Sequence, residues 1–359
     1  MNRRSFLALA GAGTAALAGC AGDGGSSGDG GSGGGSGGSG GDGTAGSLPD
    51  GIYVQRYRES MAMQGTAEGG PYRVAFMYAA PHVFWQISGS ETTETPRSGA
   101  IHGMAVPWHP DTGQVVPETG LTLEIARDGE LVSQEVIYPM LSQPMGFHYG
   151  ANFALPGEGT YTAELSVGAM STRRTGAFRE RFTDPVSASV EFEFSHSKMN
   201  EISWETLEEK AGTEGAVDAM QMGTMPNSLA PAPDDLPGSV VGETTAGDAR
   251  FVLTVLDRPP AGVDSSGQYL ALSARTPYNR MILPAMGAEA TLTRDGETVA
   301  EGPLARTLDP NLNYHYGLTA DAVESGDVLS VSVTTPPQVA RHEGYETAFL
   351  EMDSFEFTV

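Results

Sequence analysis

The sequence carries an internal duplication. Arg127-Asp128-Gly129-Glu130 recurs as Arg294-Asp295-Gly296-Glu297, and 20 residues after each Asp comes the same tripeptide, His148-Tyr149-Gly150 and His315-Tyr316-Gly317. Each unit then closes on Phe-Glu-Phe, at 192–194 and at 355–357. Matches in the same order, the first two at a constant offset of 167 residues, define two homologous modules.

The modules read as strands. Asp-Gly between two strand-like runs is a hairpin signal. Residues 72–78, 121–125 and 329–333 are short, rich in β-branched or aromatic side chains, and bounded by Gly, Pro or Asp. In 187–194, Val190, Phe192 and Phe194 alternate with Ser189, Glu191 and Glu193, and Phe355 and Phe357 repeat the pattern. A period of two fits half-buried strands of a sandwich. The expected fold is all-β: two tandem Ig-like antiparallel β-sandwich domains, residues 50–194 and 246–359. The second is the degenerate repeat.

Residues 195–245 form the connector. A short helix is expected over 199–210, around Ile202, Leu207 and Lys210, followed by a Pro/Asp-rich stretch at 230–238. Met220, Met222 and Met225 would either clamp a Cu(I) ion with thioethers or pin the connector to a domain. We adopt the second reading.

The N-terminus reads as an export signal. Arg3-Arg4-Ser5-Phe6-Leu7 makes a twin-arginine pattern, and Phe6 to Ala18 is an apolar run of 13 residues, short of the roughly 20 needed to span a bilayer. Leu17-Ala18-Gly19-Cys20 resembles a lipobox, so residues 1–20 are expected to be a lipoprotein signal and Cys20 the lipidated residue. Residues 21–49 follow as a disordered tether: positions 21–47 hold 15 of the 48 glycines. Such a Gly/Ser coil has a root-mean-square span of roughly 30 Å. The expected location is therefore the outer face of the cell membrane.

Charge excludes one class of partner. With 20 Lys and Arg against 45 Asp and Glu, the net charge of −25 repels nucleic acid. Residues 48–359 carry 42 of the acids and 18 of the bases, so the acidity belongs to the folded part. This surface, with its leader, resembles haloarchaeal secreted proteins. The single cysteine excludes an intrachain disulfide, a thiolate cluster and, at position 20, a catalytic thiol. The chain shows no Gly-x-Ser-x-Gly elbow, no H-E-x-x-H helix and no phosphate loop, so no enzyme is expected.

Any metal must then use His, Met or carboxylate ligands. His102 and Met104 alternate in a strand-like run and project from one face. The segment from Tyr138 to Gly150, with two prolines and a glycine, reads as a loop that lets Met140 or Met145 fold toward His148. Imidazole with thioether is a copper-type set. Calcium and magnesium would take oxygen.

HYGANFALPGEGTYTAELSVG, starting at His148, resembles the closing half of the periplasmic iron-uptake copper-binding proteins, the treponemal lipoprotein-antigen type encoded beside iron permeases. Ile101 to Met104 resembles their ligand-bearing strand. The run 74–194 is more similar still to haloarchaeal lipoproteins labelled iron transporters. The resemblance implies a β-sandwich with a copper site of histidines and a methionine. His148 is the firmest ligand, His102 follows, and Met140 or Met145 completes the set. Met104 stands where the family has an acid. For the family's late histidine, His82 is the replacement within the first domain. His342 lies nearer the expected place but would need a contact between domains or chains. Adding 167 maps His148 to His315 but His102 to Tyr269, Met104 to Ala271, Met140 to Thr307 and Met145 to Leu312, so the second domain is expected to lack a full site, with His315 hydrogen-bonded in its own loop.

The function expected is membrane-anchored, extracytoplasmic copper binding in iron uptake, with iron as the transported ion and an iron permease or other membrane transport component as partner. A homodimer also fits. The alternative is a structural or adhesive cell-surface module without metal. The two differ in whether His102, Met104 and His148 converge on one pocket.

Overall fold

The computed structural model describes residues 49–223 and 225–359. The signal, all but the last residue of the tether, and Cys20 lie outside them. The strands are β1 (Tyr57–Glu59), β2 (Ala62–Gly69), β3 (Tyr72–Ala79), β4 (Phe84–Ser88), β5 (Glu91–Thr95), β6 (Ile101–Trp108), β7 (Leu121–Arg127), β8 (Glu130–Ser142), β9 (Gly146–Phe153), β10 (Gly159–Val167), β11 (Arg173–Arg174) and β12 (Val186–Phe194). A one-turn helix α1 (His196–Glu201) and β13 (Trp204–Thr206) follow. The second half contributes β14 (Ser239–Ala246), β15 (Ala249–Leu256), β16 (Gln268–Arg275), β17 (Gly287–Arg294), β18 (Glu297–Pro303), β19 (Ala305–Asp309), β20 (Asn313–Ala320), β21 (Val328–Thr335), β22 (Ala340–Arg341) and β23 (Phe355–Thr358). The fold is all-β.

Both halves are built on one plan. In the first, the path β12-β10-β7-β8 continues as β8-β9-β6-β3-β2. β8 makes this possible, pairing with β7 as far as Ile137 and with β9 from Tyr138 onward. In the second half the corresponding chain is cut at Leu304 into β18 and β19, giving the sheets β18-β17-β21-β23 and β19-β20-β16-β15-β14. The Asp-Gly turns match as well: Asp128 and Gly129 have φ of 53° and 82°, and Asp295 and Gly296 have 51° and 84°. Two positive φ values define the turn whose twist suits an antiparallel hairpin.

The core lies between the sheets. Leu121, Leu123 and Ile125 of β7, Tyr161 of β10 and Phe192 of β12 are buried against Phe76 of β3 and Phe147 of β9. Phe192 packs on Phe76 and Tyr161 with ring centroids 5.0 and 5.5 Å apart.

The two halves exchange strands. β22, from the second half, lies parallel on β8, with Ala340 opposite Met140 and Arg341 opposite Leu141. β11, from the first half, lies parallel on β19, with Arg173 opposite Thr307 and Arg174 opposite Leu308. These pairings are related by the same 167-residue offset. One continuous hydrophobic core runs through both halves.

Three expectations are corrected. The helix expected over 199–210 is instead His196–Glu201, capped by the Ser195 hydroxyl, and Trp204–Thr206 is a strand paired with β1. Trp204 packs its ring 5.4 Å from that of Tyr57, and pairing with β1 satisfies backbone groups that a short isolated helix holds poorly. The loop expected from Tyr138 to Gly150 is a hairpin of β8 and β9. Pro139 is accommodated where β8 leaves one sheet for the other, since prolines are tolerated at such bends. Finally, β14 lies inside the stretch read as connector. It is a half-exposed edge strand with a bulge between Val240 and Gly242, so it shows no clean alternation.

Candidate metal centre

Alternation along β6 and β9 divides their side chains. Ile101, Gly103, Phe147 and Tyr149 face the sandwich core; a Cβ on Gly103 would meet Phe153 and Leu123. His102, His148, Gly150 and Asn152 face the other way. Met140 on β8 is directly opposite His148, and Asn152 is directly opposite His102. Onto this face come the Ala80-Pro81-His82 loop after β3 and, across the strand exchange, His342 after β22. The backbone N–H of His342 donates to the Leu141 carbonyl at 3.1 Å.

The result is a cluster of four imidazoles and a thioether. One nitrogen from each of His82, His102 and His342 lies within 4.8 Å of the others. The rings of His82 and His102 are 4.0 Å apart, and His148 stands 5.1 Å from His342. Sδ of Met140 is 3.3 Å from Nε2 of His342.

The hydrogen bonds fix which nitrogens are available. Nδ1–H of His148 donates to the Gly146 carbonyl at 3.0 Å, and that of His82 donates to the Ala80 carbonyl at 3.1 Å. Nδ1 of His102 faces Oδ1 of Asn152 at 2.9 Å. The amide nitrogen of Asn152 is committed to the carbonyls of His82 and Pro96, so its oxygen can only accept. All three rings therefore carry the proton on Nδ1 and a lone pair on Nε2. Those three Nε2 atoms are buried without a partner. Leaving a buried polar atom unpaired costs about 1–3 kcal/mol, and three such atoms in one place call for an occupant.

Two of these donors close directly over Gly150, where only a residue without a side chain fits. A Cβ there would stand 2.8 Å from Nε2 of His102 and 3.1 Å from Sδ of Met140. Burial, with the neighbouring imidazoles adding to it at His102 and His342, holds the rings neutral. The pKa of His148 and of His82 falls to about 4, and those of His102 and His342 lie well below the ordinary value. Neutral imidazoles are the ligating form. Glu59 stands beside the cluster with Oε2 3.9 Å from Nδ1 of His82, while its Oε1 accepts the Ala80 N–H at 3.3 Å.

The donor set discriminates among metals. Imidazole nitrogen with thioether sulfur is soft enough for copper in either oxidation state, whereas calcium and magnesium need oxygen ligands. The residues present fit a copper ion.

Of the residues singled out from the sequence, His82, His102, His148 and Met140 meet here. Met104 shares a face with His102 but is packed in the hydrophobic core, and Met145, in the turn before β9, is also packed there. The turn carries Met145 away from the register that sets Met140 against His148. Met225 is buried, Met222 packs against the core, and the Met220 N–H bonds the Pro144 carbonyl, so this segment fastens the connector to the β8–β9 turn. Sequence reading placed the site within residues 50–194 and weighed His342 only through a contact between domains or chains. The strand exchange supplies that contact and brings His342 in, and the structure adds the amide of Asn152 and Gly150 beneath the donors.

The second half answers as a control. Nδ1 of His315 bonds the Asn313 carbonyl at 3.0 Å, as His148 does with Gly146, but its Nε2 receives the Tyr269 hydroxyl at 2.9 Å. Arg173, carried over on β11, donates to that same hydroxyl at 2.9 Å. The tyrosine hydroxyl lies over Gly317, the equivalent of Gly150, where the first half has His102 and Met140.

Residues 234–358 match a family model described as "Domain of unknown function (DUF7350)". No curated protein matches the chain. Among solved structures, a copper-bound single-residue variant of FetP from uropathogenic Escherichia coli is similar at 17% identity and a TM-score of 0.31, over 38% of this chain and 97% of that one. FetP of the same organism, as isolated, is similar at 18% identity and a TM-score of 0.27, over 38% and 96%.

Proposed function

We propose that this chain is a copper-binding protein of iron uptake, held outside the cell membrane through Cys20, that handles iron on its way to a permease. The observation that carries the copper reading is the convergence of ligand nitrogens of His82, His102 and His342 within 4.8 Å of one another, with the Met140 sulfur against His342 and buried, unpartnered Nε2 atoms on His82, His102 and His148. A structural module would have no reason to leave those atoms bare.

When bound, copper supplies one-electron redox chemistry at a site whose ligands suit both oxidation states. The residues do the rest. His82, His102 and His148 present lone pairs through Nε2, because their Nδ1–H groups are tied to carbonyl or amide oxygens. Met140 adds the soft donor, and His342 closes the set from the second half. Arg341, fully buried, spends its guanidinium on the carbonyls of Pro337, Val339 and Ala348 and so holds the loop that carries His342. His82 and His342 are half-buried, whereas His102, His148 and Met140 are fully buried. The tether and leader read from the sequence support the location, and the resemblance to iron-uptake proteins supports iron as cargo.

Titration of the purified protein with Cu(II), and with Cu(I) against a competing chelator, tests the reading. One equivalent per chain is expected, and no uptake of either ion would overturn it.

A further inference from the structure

The duplication isolates one more residue. His102 is paired across β6 and β9 with Asn152, and the equivalent strands of the second half pair Tyr269 with Thr319. Where the histidine is replaced by tyrosine, the asparagine is replaced by threonine. The two positions depart together.

Asn152 satisfies three groups at once. Its Oδ1 accepts from Nδ1–H of His102 at 2.9 Å. Its amide nitrogen donates to the His82 carbonyl at 2.9 Å and to the Pro96 carbonyl at 3.3 Å. An acceptor and two donors on one short side chain describe an amide; aspartate has no donor and a hydroxyl offers only one. The two carbonyls bracket the β4–β5 hairpin, and one of them belongs to a ligand residue.

We propose that Asn152 is the positioning residue of the metal centre, setting the tautomer of His102 and the placement of His82 with one side chain. The inference rests on the copper reading above, but its first readout needs no metal. Metal ligands are oriented by such outer partners, whose loss typically lowers metal affinity 10–100-fold.

The test uses Asn152→Thr, which copies the second half at a strand position that accepts threonine there, and Asn152→Asp, which keeps the acceptor and removes the donors. Nitrogen-15 spectra of the histidine rings in the metal-free proteins report the tautomer. Copper affinity is then measured by chelator competition, and thermal melting establishes that each variant is folded. Asn152→Thr is expected to lose the fixed Nδ1–H tautomer of His102 and to bind copper at least tenfold more weakly. Asn152→Asp is expected to keep that tautomer while still losing affinity through His82. A folded Asn152→Thr with the tautomer and affinity of the wild type would overturn the proposal. If Asn152→Thr fails to fold, wild-type affinity in Asn152→Asp would do so. Wild-type protein that takes up no copper would overturn the site reading instead, and the tautomer measurement would still decide the role of Asn152 toward His102.

Discussion

His148 and His315 hold equivalent places in the two halves, each with its Nδ1–H on the carbonyl two residues upstream, yet Nε2 of His148 is unpartnered and Nε2 of His315 meets the Tyr269 hydroxyl. One arrangement is open to a ligand and the other is closed by a side chain. His148→Ala is therefore expected to abolish copper uptake, and His315→Ala to leave one equivalent bound. The second variant instead deprives Tyr269 of a buried partner and loses about 1–3 kcal/mol of stability. Metal analysis after gel filtration and a thermal melt check both halves of this expectation; equal copper loss in the two variants would contradict the single site.

Gly150 lies directly beneath two of the donors. Its strand conformation accepts a side chain, since its φ is not among the positive ones, so Gly150→Ala tests space alone. The added methyl would press on Nε2 of His102 and Sδ of Met140. We expect a folded protein with copper affinity reduced at least a hundredfold, measured by chelator competition and circular dichroism. Unchanged affinity would place the metal elsewhere.

Acid should weaken the metal-free protein. An unfolded histidine titrates near 6.5, whereas His148 and His82 stay neutral down to about 4, and burial beside the other imidazoles holds His102 and His342 well below the ordinary value. The unfolded chain thus binds more protons below 6.5, so stability is complete above that pH and is lost as pH falls toward 4. His148 and His82 each contribute roughly 3 kcal/mol across that interval. Glu59, whose carboxyl group burial raises above 4.5, acts in the opposite sense and favours the folded state on the acid side. Melting temperature recorded from pH 8 to 4 should be level above 7 and fall steeply below 6.5. A level curve down to 4 would contradict burial of neutral rings.

His342 makes the second half part of the site. It reaches the first sheet only because β22 lies on β8. His342→Ala is expected to weaken copper binding about tenfold or more without changing the fold, whereas His109→Ala, at a ring bonded to Thr112, should leave affinity unchanged. Competition titration of both variants decides the point.

The sequence displayed the duplicated plan because its markers are local: Asp-Gly turns, the period-two run ending at Phe194, and the His-Tyr-Gly tripeptides each announce themselves within a few residues. The alternation of Ile101 to Met104 likewise put His102 on a face. What it hid depends on pairing between distant segments. Nothing near His342 shows that Ala340 will lie beside Met140, and nothing near Asn152 shows that it will face His102. Met104 and Met145 had the right chemistry, but register and a turn placed them in the core. Pro139 looked like a loop residue because the bend of β8 between sheets is visible only when both neighbours are known.

X-ray absorption at the copper edge on protein loaded with one equivalent of Cu(I) tests the imidazole and thioether centre most directly. We expect imidazole scattering together with one sulfur neighbour, the sulfur vanishing in Met140→Leu and persisting in Met145→Leu. A spectrum without sulfur, or one that loses it in Met145→Leu and not in Met140→Leu, would contradict the assignment.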